Sequence, residues 1–200
     1  MEIEIDLEEL SKEVKNNIVA PKTVWEDYVP IVETDTKLEA YFFAGINVPD
    51  AYAEFHNKLI NLDPSKEVHL YINNGGGFET GASTVCQAIT QCKSPVTAHL
   101  SGLVASAATI VTMSCDEIDV TPDLMFMIHE ASFEGMGGKF SDMKSFQDFY
   151  NEHNREMSKV QYLGFLDADE IERMHNGKEL WFNASQVKER WERRKEALNV

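Results

Sequence analysis

Three short segments of this chain carry the residue types that acyl-transfer chemistry needs, and they stand in one order. Ile72-Asn73-Asn74-Gly75-Gly76-Gly77 closes an apolar run with glycines. Gly102-Leu103-Val104-Ala105-Ser106-Ala107-Ala108 sets a serine among small residues, and Met127-Ile128-His129 ends a further apolar run with histidine. Attack on a carbonyl carbon requires backbone N–H donors for the developing oxyanion, a nucleophile, and a base within reach of it. Together the three segments point to a serine hydrolase.

Each segment also has a plainer explanation. The glycine run lets the backbone take positive φ and lets a ligand approach it closely, but a tight turn needs the same freedom. A phosphate-cradling loop is disfavoured, because neither the Walker lysine nor the G-x-G-x-x-G spacing is present. Ser106 follows Gly102 where a strand is expected to turn into a helix, and a helix N-terminus favours an anion. Its small neighbours leave room for a substrate main chain; they would equally let a helix pack closely on a sheet. Ser101 precedes the turn glycine and Ser114 sits at the far end of the helix, so neither competes well. His56 and His153 fall in polar helical stretches, and His69 and His99 lie inside strands. A histidine at a strand end is usually structural. Here, however, the ends of two neighbouring parallel strands would bring His129 to Ser106.

The elements that must position these residues read as alternating strands and helices. Strands are expected at Leu38–Ala44, Val68–Ile72, Val96–Leu100, Glu117–Val120 and Met125–His129, and helices at Pro49–Leu62, Glu79–Cys92 and Ala105–Ser114. A long helix is expected over Ser141–Leu163, then a shorter one at Asp167–Met174. A brief strand at Trp181–Phe182 and a last helix capped by Asn183 complete the chain. Strand–helix units joined by tight glycine-containing turns predict an α/β fold with a parallel sheet. The long helix carries Phe146, Phe149, Tyr150, Met157, Val160 and Tyr162, more apolar surface than one helix edge of a small domain easily buries. An oligomer interface is the expectation.

Ahead of these units, residues 7 to 17 read as a short amphipathic helix and Ile18–Lys37, with Pro21 and Pro30, as an extended arm. The chain therefore divides into an acidic N-terminal arm, 1–35, and one domain, 36–200. Two hundred residues supply one substantial core. A net charge of −16 argues against a nucleic-acid partner. No run reaches the roughly 18 to 20 apolar residues of a membrane span. The acidic start lacks the layout of a signal peptide, so the expected location is the cytoplasm. Three unpaired-looking cysteines, Cys86, Cys92 and Cys115, fit a reducing compartment, and no metal or cofactor is expected.

The same residues resemble the Clp protease proteolytic-subunit family, whose members show a strand ending I-N-S-P-G-G, a nucleophile segment G-x-A-A-S-M-G and a base segment M-I-H-Q-P. The likeness extends to Gly45-Ile46-Asn47-Val48-Pro49-Asp50, to the helix start Gly138-Lys139-Phe140-Ser141-Asp142-Met143 and to Glu170-Ile171-Glu172-Arg173. The resemblance implies a crotonase-like spiral of strand–helix units with a protruding handle helix, assembled into stacked rings around a chamber. It implies Ser106 as nucleophile, His129 as general base, and the N–H groups of Gly77 and Ala107 as oxyanion hole. Peptides or unfolded proteins would be the substrates, and an AAA+ ATP-dependent unfoldase is a partner the family suggests. The Asn-Gly-Gly-Gly and Leu-Trp-Phe-Asn-Ala wording is closer to phage-encoded relatives, which would place the protein in a host cytoplasm.

The chain departs from the family in several places: Gly75 stands for a proline and Phe78 for a small polar residue, the usual Gly-Leu-Ile-Asp ending is replaced by Lys188–Val200, and one departure falls on the catalytic set. The catalytic aspartate should follow Ile171-Glu172-Arg173, where Met174-His175-Asn176 stand instead. Asn176, able to orient an imidazole, is the expected third member, with Glu179 or a two-residue site as alternatives. Two other functions stay open beside the self-compartmentalised peptidase: an inactive ring-forming scaffold, and an acyl-CoA enzyme of the crotonase type.

Overall fold

Alternation of period two builds the sheet. In the computed structural model, which describes residues 29–132 and 139–199, β2 (Lys37–Phe42) buries Leu38, Ala40 and Phe42 and turns Lys37, Glu39 and Tyr41 outward. The next strand, β3 (Glu67–Asn74), buries Val68, Leu70, Ile72 and Asn74 in the same way. β4 (Val96–Ala105) follows suit with Val96, Ala98 and Leu100. The expected helix at residues 7 to 17, and most of the arm, lie outside the described residues.

Among the described residues the sheet has seven strands. β1 (Ile31–Glu33), β2, β3, β4, β6 (Met125–Ile128) and β7 (Leu180–Asn183) neighbour one another in that order, and β5 (Glu117–Val120) pairs separately with β4. The expectation of a parallel sheet holds from β2 to β6 and fails at both edges: β1 runs antiparallel to β2, and β7 antiparallel to β6. The reason at the first edge is connection length. Only Thr34–Thr36 separate β1 from β2, with Thr34 N–H donating to Lys37 O at 2.9 Å, which permits a hairpin and not a crossover. β1 falls inside the stretch read from sequence as an arm, because three residues are too few to show a period.

Helices α1 (Ala53–Ile60, preceded by a 3-10 turn at Pro49–Tyr52), α2 (Glu79–Gln91) and α3 (Ala107–Met113) share one core with the sheet. Their contributions include Phe55, Leu59, Val85, Ile89 and Val111. α4 (Phe140–Gln161) is different: Phe149 and Val160 are 65% and 67% exposed, and the only buried side chain described on it is that of Ser158. α5 (Ala168–His175) and α6 (Ala184–Leu198) each open on a reciprocal capping box, Asp167 with Glu170 and Asn183 with Gln186. Among the described residues, no helix is long and apolar enough to cross a membrane.

The Arg190 guanidinium forks onto Glu170, Nη1 to Oε2 at 2.8 Å and Nη2 to Oε1 at 2.6 Å, and joins α5 to α6. That bond holds the Glu170 carboxyl below the usual carboxylate range. Because the folded state lowers this pKa, the contact stabilises fully above the ordinary glutamate range and is lost as pH falls through the depressed value. Glu170→Gln should cost about 2 kcal/mol near neutrality and much less in acid, read from thermal unfolding across pH.

Candidate active site

Ser106 sits between β4 and α3 with φ 55° and ψ −130°, a conformation rare outside glycine. Holding a non-glycine residue there costs about 1–3 kcal/mol, so the surroundings must over-determine it. Ser106 N–H donates to Met127 O at 2.9 Å, fastening the end of β4 to β6. Ser106 occupies the N-cap position of α3 yet makes no side-chain cap. Its Oγ lies 2.7 Å from His129 Nε2 instead, one residue beyond the end of β6. Both side chains are half-buried. The structure thus brings together the serine and the histidine that the sequence singled out. A hydroxyl donating to an imidazole nitrogen in this way can lose its proton as it attacks.

β4 reaches further than expected, running five residues past Leu100 up to Ser106. Gly102, read from sequence as the turn, lies within the strand at φ 58°. A side chain there would meet Asn73 at 2.8 Å, and Leu103 N–H donates to Asn73 Oδ1 at 3.2 Å. This bulge, registered as a shift between Ile72 and Asn74, lets the first half of β4 pair with β5 and the second half with β6.

The glycine run lies beside the serine. A Cβ on Gly76 would fall 2.5 Å from Ser106 Cβ and 2.7 Å from Ala105 O. Asn74 is buried and holds the turn: it donates to Ala44 O and accepts from Gly76 N–H at 2.8 Å. Ile46 and Gly77 form a parallel bridge, in which Ile46 N–H takes Gly76 O and Phe78 N–H takes Ile46 O. The Gly77 N–H consequently points away from Ile46. Ala107 N–H is the first donor of α3, where an intrahelical acceptor is lacking. Gly76→Ala should therefore slow any chemistry at Ser106 by about 10²-fold, since an ångström of misplacement costs that much. Labelling by a serine-directed phosphonate measures it.

The third position is less simple. Asn176 caps the end of α5 and its Nδ2 donates to Glu172 Oε1 at 3.0 Å. Glu179 accepts from Trp181 Nε1 at 3.0 Å. Met174 is buried in the core, and His175 Nε2 meets Ser158 Oγ at 2.8 Å. Burial pushes the His175 pKa down, so this imidazole favours its neutral form. It lines a small polar cavity with Glu130, Ala131, Asn151, Asn154 and Arg155. Among the described residues, no side chain is hydrogen-bonded to His129 Nδ1. The structure brings neither Asn176 nor Glu179 to it.

Two residues at the site have no weight in the sequence reading: Asn74, and Thr109 on the first turn of α3. An asparagine just past an apolar strand and before glycines is the available signal for the first. Thr109 has none, being one threonine on a small-residue helix.

A mixed sheet packed with helices, with a serine–histidine contact at the ends of adjacent parallel strands, makes this an α/β fold consistent with the Clp kind. The family model for Clp protease matches residues 37–189, and the chain belongs to the Clp protease family. Similar chains include the ATP-dependent Clp protease proteolytic subunit of Leuconostoc citreum, 33% identical over 78 residues, covering 38% of this chain and 39% of that one. Subunit 1 of Rhodococcus jostii is 28% identical over 112 residues, covering 53% and 51%. Subunit 2 of Corynebacterium efficiens is 26% identical over 160 residues, covering 76% and 78%. In the first two the match thus spans about two-fifths to one half of the relative's own length.

Proposed function

We propose that this chain is a serine-type endopeptidase subunit acting on peptides or unfolded proteins through a Ser106 acyl-enzyme. The observation that carries the reading is the 2.7 Å contact between Ser106 Oγ and His129 Nε2, beside a glycine loop that packs directly against Ser106. His129 takes the hydroxyl proton as Oγ attacks the scissile carbonyl, then returns it to the leaving amine. The N–H groups of Gly77 and Ala107 receive the oxyanion. Water, deprotonated by the same imidazole, releases the acyl group. The geometry favours a serine–histidine pair working alone. Asn176 in third place is the alternative, and on that reading Asn176→Ala lowers turnover while Asn176→Asp raises it.

The chain is further proposed to close into a ring of its own copies, and stacked rings would enclose the Ser106 sites. A Clp ATPase is the partner that family membership suggests for feeding such a chamber, and the cytoplasm the compartment. Exposed Phe149, Val160 and Leu163 along and just past α4 support assembly, since a lone subunit leaves them in water. Sedimentation at micromolar concentration should give a discrete oligomer, with no stable species at the 22.7 kDa of one chain.

The missing aspartate favours one rival, an inactive ring-forming scaffold. A fluorophosphonate probe separates the two: the peptidase reading requires one labelled serine, Ser106, and the scaffold reading none.

A further inference from the structure

The carbonyl of Ser106 is held by an unusual set of partners. It accepts from Thr109 N–H at 2.9 Å and from Thr109 Oγ1 at 2.7 Å. Thr109 Oγ1 in turn lies 2.7 Å from Tyr162 Oη, at the end of α4. Thr109 is fully buried and Tyr162 nearly so, and burial pushes the tyrosine hydroxyl pKa well up, so it stays protonated. Only one proton arrangement satisfies both contacts. A carbonyl oxygen can only accept, so Thr109 donates to Ser106 and Tyr162 donates to Thr109.

The destination of this chain of bonds gives it meaning. Ser106 C=O and Ala107 N–H belong to one planar trans peptide, in which the two groups point in opposite directions. Two donors on the oxygen fix the direction of the nitrogen's hydrogen. They also polarise the amide and strengthen that hydrogen as a donor. At the N-cap of a helix the serine hydroxyl would ordinarily tie down the first turn. Here it is occupied by His129, and the threonine three residues on supplies the anchor from the other side.

We propose that Thr109 and Tyr162 are positioning residues that aim the Ser106–Ala107 peptide, so that its N–H meets the oxyanion formed when Ser106 attacks. The inference rests on the reading of Ser106 as nucleophile. It assigns a catalytic consequence to a tyrosine on the long helix, remote in sequence from the three motifs.

The test uses the full-length protein, a short peptide ester, and active-site titration with a fluorophosphonate so that rates are expressed per reactive serine. Thr109→Val should lower kcat about 10-fold with KM nearly unchanged, because the lost interaction matters only as charge develops. Tyr162→Phe should lower it less, since Thr109 can still donate to Ser106. Thr109→Ser, which keeps the hydroxyl, should recover most of the loss. A purely structural role would reduce the titrated fraction or the melting temperature and leave kcat per site unchanged in Thr109→Val; that outcome overturns the proposal. Equal kcat losses in Thr109→Ser and Thr109→Val would overturn it as well. Ser106→Ala is run beside them: if it retains turnover, the nucleophile assignment fails. If it is dead while Thr109→Val turns over normally, only the relay fails.

Discussion

Ser106→Ala should abolish peptide hydrolysis, with a loss on the order of 10⁶ in kcat, while the fold and assembly survive. On the proposed mechanism, removal of one oxygen takes away the atom that forms the acyl-enzyme, while the proposed donors of Gly77 and Ala107 remain. The variant should even gain stability slightly if loss of the His129 contact relaxes the strained φ of 55°. Hydrolysis of a chromogenic peptide ester, together with phosphonate labelling followed by mass spectrometry, checks it. Turnover within tenfold of the parent in Ser106→Ala would sink the assignment.

His129→Ala should cost nearly as much. A serine hydroxyl is a poor nucleophile unless a base accepts its proton, and Nε2 at 2.7 Å is the acceptor in place. The two residues act as a unit, so their effects should not add: Ser106→Ala/His129→Ala should be no slower than either single variant. A double variant slower than both by a further factor of a hundred would mean that His129 serves something other than Ser106.

Much of this site was legible in the sequence because its chemistry is local. Asn73–Gly77, Gly102–Ala108 and Met127–His129 each lie at the end of one strand, and parallel neighbours bring strand ends together. Fold class and most elements were readable for a similar reason, since the alternation at Leu38, Ala40 and Phe42 fixes both a strand and its buried face. The failures are non-local. Short β1 has no period of its own and exists because β2 offers an edge. Gly102 looks like a turn residue, yet Asn73, thirty positions before Leu103, accepts from Leu103 N–H and props the strand up as a bulge. The expected third member is non-local too: proximity in sequence singled out Asn176, whose amide donates to Glu172 at the end of its helix.

The bulge at Gly102 makes β4 a ruler with two scales. Its first half is graduated against β5, from Thr97 with Glu117 to Leu100 with Val120. Its second half is graduated against β6, with three marks: Leu103 with Met125, Val104 with Phe126, Ala105 with Met127. Serine and histidine stand just past the last mark, so the gap between them is measured out by this short scale alone. One residue inserted between Gly102 and Ser106 would advance the serine by about 3.3 Å and turn it to the opposite face. The other scale would still read true, leaving a folded protein whose serine points away from its histidine.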